Sequence, residues 1–145
     1  NKPDLIIIDR YLKLKKKLKL LNSSTRRKIY IFTLSNNKKK ISFFKNKKIR
    51  IIKIQKLEDK IDFENLFRRI MKIGKGRVLV ESGLVFLNQL FKYKFINNLY
   101  LFKSNKFLNL NGYNNISINF IKKLKIKNKI NVNLDNDELF KVRVK

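Results

Sequence analysis

The stretch GRVLVESGLVFLNQLF, from Gly76 to Phe91, decides the fold. Val78–Val80 is a short apolar run that predicts a buried strand, and Glu81 and Gly83 follow it directly. Apolar residues then repeat at helical spacing over Leu84–Phe91. Because the first N–H groups of a helix have no partner inside the helix, an anion can bind where that helix begins. The sequence therefore predicts a strand–turn–helix corner that carries a carboxylate and a glycine.

Two interpretations of this corner remain open from the residues alone. Ligands of open α/β sheets bind beyond the carboxyl ends of the strands, where Glu81 lies, and Gly83 lets a phosphate approach the backbone closely. Alternatively, Gly83 only eases the turn and Glu81 caps the helix. The role of Arg10 also has two interpretations. It follows Asp9 at the end of the predicted strand Leu5–Ile8, and it either contacts a phosphate or is a surface arginine.

The net charge suggests a different function. The chain has 37 Lys and Arg against 10 Asp and Glu, a formal net charge of +27. Such a balance is typical of proteins that bind nucleic acid or an acidic membrane surface. However, codons rich in A and T encode the abundant Asn, Ile, Lys and Phe, and the lysines are spread through every segment. Compositional drift is therefore favoured, and a basic nucleic-acid-binding or ribosome-associated protein is the alternative function.

Residue types that are absent exclude several classes of chemistry. There is no Cys and no His, which removes disulfides, thiol nucleophiles, Cys/His zinc sites and His-based triads. The few acids are scattered, so we expect no metal. No apolar run reaches the roughly 18 residues that a membrane-spanning helix needs. We expect a cytoplasmic, soluble protein of one domain, without a membrane partner.

The remaining pattern predicts an α/β domain with a mostly parallel sheet, flanking helices and an antiparallel edge. Further strands are predicted at Lys28–Thr33, Ile49–Ile54 and Asn98–Phe102, and a helix from an N-cap at Asp62 to a stop at Gly74. The chain is predicted to end in a hairpin of Lys125–Leu134 and Leu139–Val144 around a turn at Asp135–Asp137. The irregular parts are a surface segment at Lys13–Leu20, a turn at Asn22–Thr25, and loops at Asn36–Lys40 and Lys103–Asn115.

These motifs, in this order, resemble the reductase domain of the bifunctional riboflavin-biosynthesis deaminase-reductase family. The resemblance rests on LIIIDRYLKL from Leu5, IYIFT from Ile29, VESGL from Val80, NNLYLF from Asn97 and the closing pair of strands. It extends from about Lys2 to Val144. Where the family has Val-Glu-Gly-Gly-Pro, this chain has Ser82 and Leu84 in place of a glycine and the proline, and Arg10 stands where the family often has a small hydroxyl residue.

The resemblance implies a dihydrofolate-reductase-like fold and hydride transfer from NADPH to the opened ribose of a phosphoribosylamino-pyrimidine, which gives the ribitylamino product. By position, Glu81 would hold the substrate, and Arg10 would contact the cofactor. The cofactor's phosphates would be lined by Gly83, Leu84, Val85, Phe86, Leu87, Asn88 and Gln89. No residue is singled out as catalytic, because hydride transfer between positioned partners needs no covalent nucleophile.

The resemblance also implies the organisation of the protein. It suggests a homodimer, and it makes residues 1–145 a single, partial reductase domain that lacks the family's preceding segment and its zinc deaminase half. The residues of this sequence barely distinguish this assignment from a related reductase that acts on a different pterin or pyrimidine substrate.

Overall fold

The computed structural model describes residues 2–106, 126 and 128–144. The chain divides into two compact units, Asn1–Arg77 and Val78–Lys145. Among the described helices, every one is too short or too polar to cross a lipid bilayer.

The first unit is built on a parallel sheet of three strands, β1 (Leu5–Ile8), β2 (Ile29–Thr33) and β3 (Arg50–Lys53). Strand β2 lies in the middle and pairs in parallel with both neighbours. All five of its residues are buried, which explains why the sequence reads as an apolar run rather than as an alternating pattern. The predicted strands are confirmed.

Three helical elements alternate with these strands along the chain. A 3₁₀ helix (Lys19–Thr25) precedes β2, α1 (Lys38–Asn46) precedes β3, and α2 (Lys60–Lys72) follows β3. A core cluster joins the sheet to the loop after β1 and to α1. Its buried members are Leu12, Leu21, Ile29, Ile31, Phe44 and Ile49. The cluster brings together residues from every part of the chain between β1 and β3, so it holds this part of the unit as one body.

The start of α2 corrects the predicted N-cap at Asp62. Asp59 is the N-cap, and its side chain accepts a hydrogen bond of 2.8 Å from the Asp62 backbone N–H. The Asp62 carboxylate accepts in return from the Glu58 backbone N–H at 3.0 Å. Both carboxylates satisfy donors at the helix start, which is why either looks like a cap in the sequence. The predicted stop is confirmed: Gly74 has a φ of +80°, a left-handed conformation that glycine adopts without strain.

Helix α1 corrects the predicted loop at Asn36–Lys40. The Asn37 side chain accepts from the Lys40 backbone N–H at 3.0 Å and caps the helix, which begins at Lys38. The polar residues therefore form a cap and a first turn rather than a loop. The predicted turn at Asn22–Thr25 lies within the 3₁₀ helix, whereas the segment Lys13–Leu20 is a largely exposed surface segment as expected.

The second unit contains α3 (Leu84–Lys92) and an antiparallel sheet of β4 (Asn98–Lys103), β5 (Asn128–Ile130) and β6 (Glu138–Arg143). Strand β6 lies between the other two. The predicted closing hairpin is confirmed in type: its first strand covers Asn128–Ile130, and Lys125 and Lys127 of the predicted strand lie outside the described residues. The predicted loop Lys103–Asn115 lies mostly outside the described residues, and its first residue belongs to β4.

The turn before β6 uses left-handed backbone at two residues. Asp135 and Asn136 have φ angles of +45° and +73°. Aspartate and asparagine tolerate this conformation better than most residues, which explains why the predicted turn at Asp135–Asp137 forms there.

Val78–Val80 was predicted to be a buried strand, and that prediction is wrong. The three residues have no regular secondary structure and are 42, 76 and 37% exposed. A strand is stabilised by a partner for its backbone N–H and C=O groups, and no described strand pairs with this segment. The apolar run is therefore an exposed lead into α3, whereas the helix itself lies where the sequence placed it.

The mixed α/β class is confirmed, with parallel strands, flanking helices and a C-terminal antiparallel hairpin, and it is consistent with a dihydrofolate-reductase-like fold. The antiparallel strands form a sheet of their own. A single reductase domain over residues 1–145 stays a prediction.

Phe44→Ala tests the core cluster. The Phe44 side chain is completely buried, and its ring meets that of Phe43 edge to face at 5.4 Å between centroids. We expect the free energy of unfolding to fall by about 3–5 kcal/mol, the usual cost of removing a buried phenyl group. Urea unfolding followed by circular dichroism measures it. Met71→Ala, at a side chain that is 67% exposed, is the control and is expected to change little.

Asp4→Asn tests a clamp between three elements of the first unit. The Asp4 carboxylate lies 2.6 Å from Lys75 Nζ after α2, and it accepts from the Lys28 backbone N–H at the start of β2. The hydrogen bond from Lys75 lowers the pKa of Asp4 below its ordinary 3.8, and the bond to Asp4 raises the pKa of Lys75 above its ordinary 10.5.

The sign of the pH dependence follows from these shifts. The Asp4 contribution to stability is present above pH 3.8 and is lost as the pH falls through its lowered pKa. The Lys75 contribution is present below pH 10.5 and is lost as the pH rises through its raised pKa. Asp4→Asn is therefore expected to be less stable than the parent near neutrality and equally stable in strong acid. Thermal unfolding across pH measures this difference, and a gap that persists in strong acid contradicts it.

Candidate functional site

The start of α3 is open to an anion. Gly83 is the N-cap, with φ −67° and ψ 162°, and no side chain of the described residues caps the helix. Its carbonyl accepts from the Leu87 N–H at 3.2 Å, so the preceding N–H groups of the first turn have no partner within the helix. A Cβ at Gly83 would meet no atom of the described residues within 4 Å. The helix therefore directs its first N–H groups and the positive end of its dipole to a side where no described atom lies close to Gly83.

The Glu81 carboxylate lies beside this helix start without capping it. Residues 81–83 are exposed, and the first turn of α3 contains no acid. Within the described part of the chain, no hydrogen bond or ion pair to the Glu81 side chain is found. The structure thus removes the interpretation in which Glu81 caps the helix, and it leaves the carboxylate accessible.

The predicted cofactor stretch divides into two parts. The backbone N–H groups of Leu84, Val85 and Phe86 belong to the first turn, and those of Leu84 and Val85 are offered to a ligand. Those of Asn88 and Gln89 lie in the next turn, where the helix uses them. Gln89 Oε1 is buried and makes no hydrogen bond to a described residue. Leu87 is half-buried on the inner face.

Arg10 lies at the carboxyl end of the parallel sheet, in the first unit, whereas the other predicted residues belong to the second. Its guanidinium stands 3.7 Å from the Glu58 carboxylate, with 34% of the side chain exposed. Its Nε atom is buried and makes no hydrogen bond to the described residues. The neighbouring Asp9 carboxylate accepts from the backbone N–H groups of Lys13 and Leu14, so it shapes the turn.

Hydrogen bonds connect the three strand ends at this edge. The Arg10 carbonyl accepts from Leu34 N–H at 2.9 Å and from the Thr33 hydroxyl at 3.1 Å. Lys53, at the end of β3, donates from Nζ to the Ser35 carbonyl and the Asn36 side chain. The position of Arg10 is therefore fixed by its backbone, not by its own charge.

A groove of about 430 Å³ runs between the end of β3 and α2. Four cations line it, Lys56, Arg68, Arg69 and Lys72, and its one acid is Asp62. Lys56 and Arg68 have acidic neighbours at 3.8 Å, Glu58 and Glu64. Its chemistry attracts a phosphate group. The sequence analysis did not predict this groove. The one feature of the sequence that indicated it is the group of basic residues, Arg68, Arg69 and Lys72, at the end of the predicted helix.

The described residues contain no cluster of three or more metal-ligating side chains.

Comparison with known proteins identifies the family. The family model described as RibD C-terminal domain matches residues 1–109. No curated protein matches the chain significantly. The family is one of reductases of riboflavin biosynthesis and generally uses NADPH, with a small-molecule substrate. Because the match covers most of the sequence, the chain belongs to the RibD C-terminal domain family.

Proposed function

We propose that this chain is an NADPH-dependent reductase that converts 5-amino-6-(5-phosphoribosylamino)uracil to the ribitylamino product. The observation that carries the proposal is the uncapped start of α3, with the Glu81 carboxylate directly before it. The reaction needs a dianionic cofactor group held in place and a polar substrate positioned beside it. Both demands concern positioning, which agrees with a chain that has no Cys or His.

The residues at the helix start fit the diphosphate of NADPH. The backbone N–H groups of Leu84 and Val85 would donate to phosphate oxygens, and Gly83 adds no side chain that would obstruct them. When bound, NADPH supplies the hydride for the reduction. Arg10 is proposed, on the family resemblance alone, to contact an anionic group of the cofactor; its Nε makes no hydrogen bond to a described residue.

Glu81 is proposed to hold the substrate rather than the cofactor. A carboxylate is an acceptor only, so it suits the hydroxyl groups of an opened ribose or the N–H groups of a pyrimidine. The same negative charge disfavours a phosphate at that point. The homodimer and the cytoplasmic location expected from the sequence stay part of this proposal.

Gly83→Asp and Gly83→Asn form a matched pair that tests the phosphate site. Both side chains cap α3 equally well, so both variants are expected to be as stable as the parent or slightly more stable. Only aspartate adds a negative charge where the diphosphate is proposed. We expect the NADPH dissociation constant of Gly83→Asp to exceed that of Gly83→Asn by about tenfold or more, since a repulsion of about 1.4 kcal/mol suffices. Nicotinamide fluorescence measures the two dissociation constants. Equal values would contradict the proposal that the diphosphate binds at the start of α3.

Glu81→Gln tests the substrate contact. With the full chain, NADPH and the ribosylamino substrate, we expect kcat/KM to fall on the order of 100-fold because the substrate loses its orientation. The affinity for NADPH is expected to stay unchanged. Loss of nicotinamide absorbance follows the reaction. Asp135→Asn, which neutralises an exposed carboxylate in the turn before β6, is the control and is expected to keep full activity. Parent-like turnover by Glu81→Gln would contradict the role.

A further inference from the structure

The acids of this chain are distributed unevenly. The 48 residues from Arg10 to Leu57 contain 18 Lys and Arg and no Asp or Glu, so all ten acids lie outside this segment. Compositional drift raises the number of lysines everywhere, but it does not explain why acids are missing from one continuous third of the chain. The structure describes every residue of this segment.

The fold brings the two most basic parts of this segment together. Leu12 is completely buried in the core cluster, which anchors the lysine-rich loop that follows β1. Lys40 of α1 donates from Nζ to the Leu12 carbonyl at 2.7 Å. Lys16 Nζ in that loop lies 4.9 Å from the centre of the Phe43 ring on α1. The loop and the helix thus form one surface, residues 10–19 and 38–48, which we call the basic face.

Four lysines of the basic face are available to a partner. Lys13, Lys16, Lys39 and Lys45 are exposed, and no described acid forms an ion pair with them. The nearest acid in sequence is Asp9, and its carboxylate is occupied by two backbone N–H groups. A surface with this excess of one charge attracts a polyanion and releases counterions when it binds.

An exposed aromatic ring lies within this charge. Tyr11 is 61% exposed, with the Arg10 guanidinium 5.4 Å and Lys13 Nζ 5.7 Å from its ring centre. A ring flanked by cations is the arrangement that stacks a nucleobase while the cations hold its phosphates. By contrast, Ile41 and Phe44 of α1 are directed into the core cluster, so the helix has no apolar face to insert into a membrane.

We propose that the basic face binds single-stranded RNA without sequence preference, with Tyr11 stacking on a base. This function is additional to the proposed reduction: of the residues proposed for the reductase site, the basic face contains only Arg10, and the residues varied below are not among them.

The first test compares two variants of equal net charge. One carries Lys→Gln at Lys13, Lys16, Lys39 and Lys45 of the basic face. The control carries Lys→Gln at Lys92, Lys94, Lys106 and Lys141, which are exposed lysines of the second unit. Binding of a fluorescent 20-nucleotide oligouridylate is followed by anisotropy over a potassium chloride series. We expect only the first variant to bind roughly tenfold or more weakly at physiological salt, with a salt slope reduced by about 0.7 for each phosphate that the variant no longer neutralises.

Tyr11→Leu and Tyr11→Phe separate stacking from charge. Leucine keeps the bulk but not the ring, so we expect binding to weaken by about fivefold or more with an unchanged salt slope, whereas phenylalanine binds as the parent does. An equal weakening in the two lysine variants would reduce the effect to net charge and overturn the proposal. Binding to phosphatidylserine vesicles but not to oligouridylate would also overturn it and would assign the face to a membrane.

Discussion

The burial of β2 is the constraint on which the first unit depends. Its five residues are all buried and pair with a strand on each edge, so the strand is apolar up to its last residue and its backbone is paired on both sides. The strand ends at Thr33, whose buried hydroxyl donates to the Arg10 carbonyl. The same buried strand that stabilises the core therefore determines where the carboxyl edge of the sheet presents its polar groups.

Those parts of the fold that depend on local pattern could be predicted from the sequence. β1, β2 and β3 are short runs of branched and aromatic residues, and α2 carries an apolar face between an acidic start and a glycine stop. α1 was missed because its start, Asn37 to Lys40, consists of polar residues, and only the cap geometry distinguishes it from a loop. Val78–Val80 failed for the opposite reason: its pattern is that of a strand, but a strand also requires a partner, which no local pattern contains.

In the candidate site, too, features set by local pattern could be predicted from the sequence, and features that depend on distant residues could not. A helix beginning at Leu84 followed from hydrophobic spacing, and with it the open donors next to Glu81. Sequence reasoning could not decide whether Glu81 caps that helix, because a carboxylate three residues before the first helical position suits both roles. For Arg10, the pattern gave a position at a strand end, but the pairing with Glu58 depends on residues 48 positions apart. Long-range ion pairs of this kind are fixed only when the core has positioned both elements.

The start of α3 and the basic face attract an anion for different physical reasons. At α3, the attraction for an anion comes from aligned backbone dipoles, requires no lysine, and is limited to the first turn. On the basic face, it comes from many mobile side chains on a loop and a helix that the core holds together through Leu12 and Phe44. Salt screens the second much more than the first, because exposed charges lose their attraction within a Debye length of about 8 Å under physiological conditions. A small, tightly positioned ligand and a long, loosely held polyanion therefore make different demands, and the two surfaces meet them by different physical means.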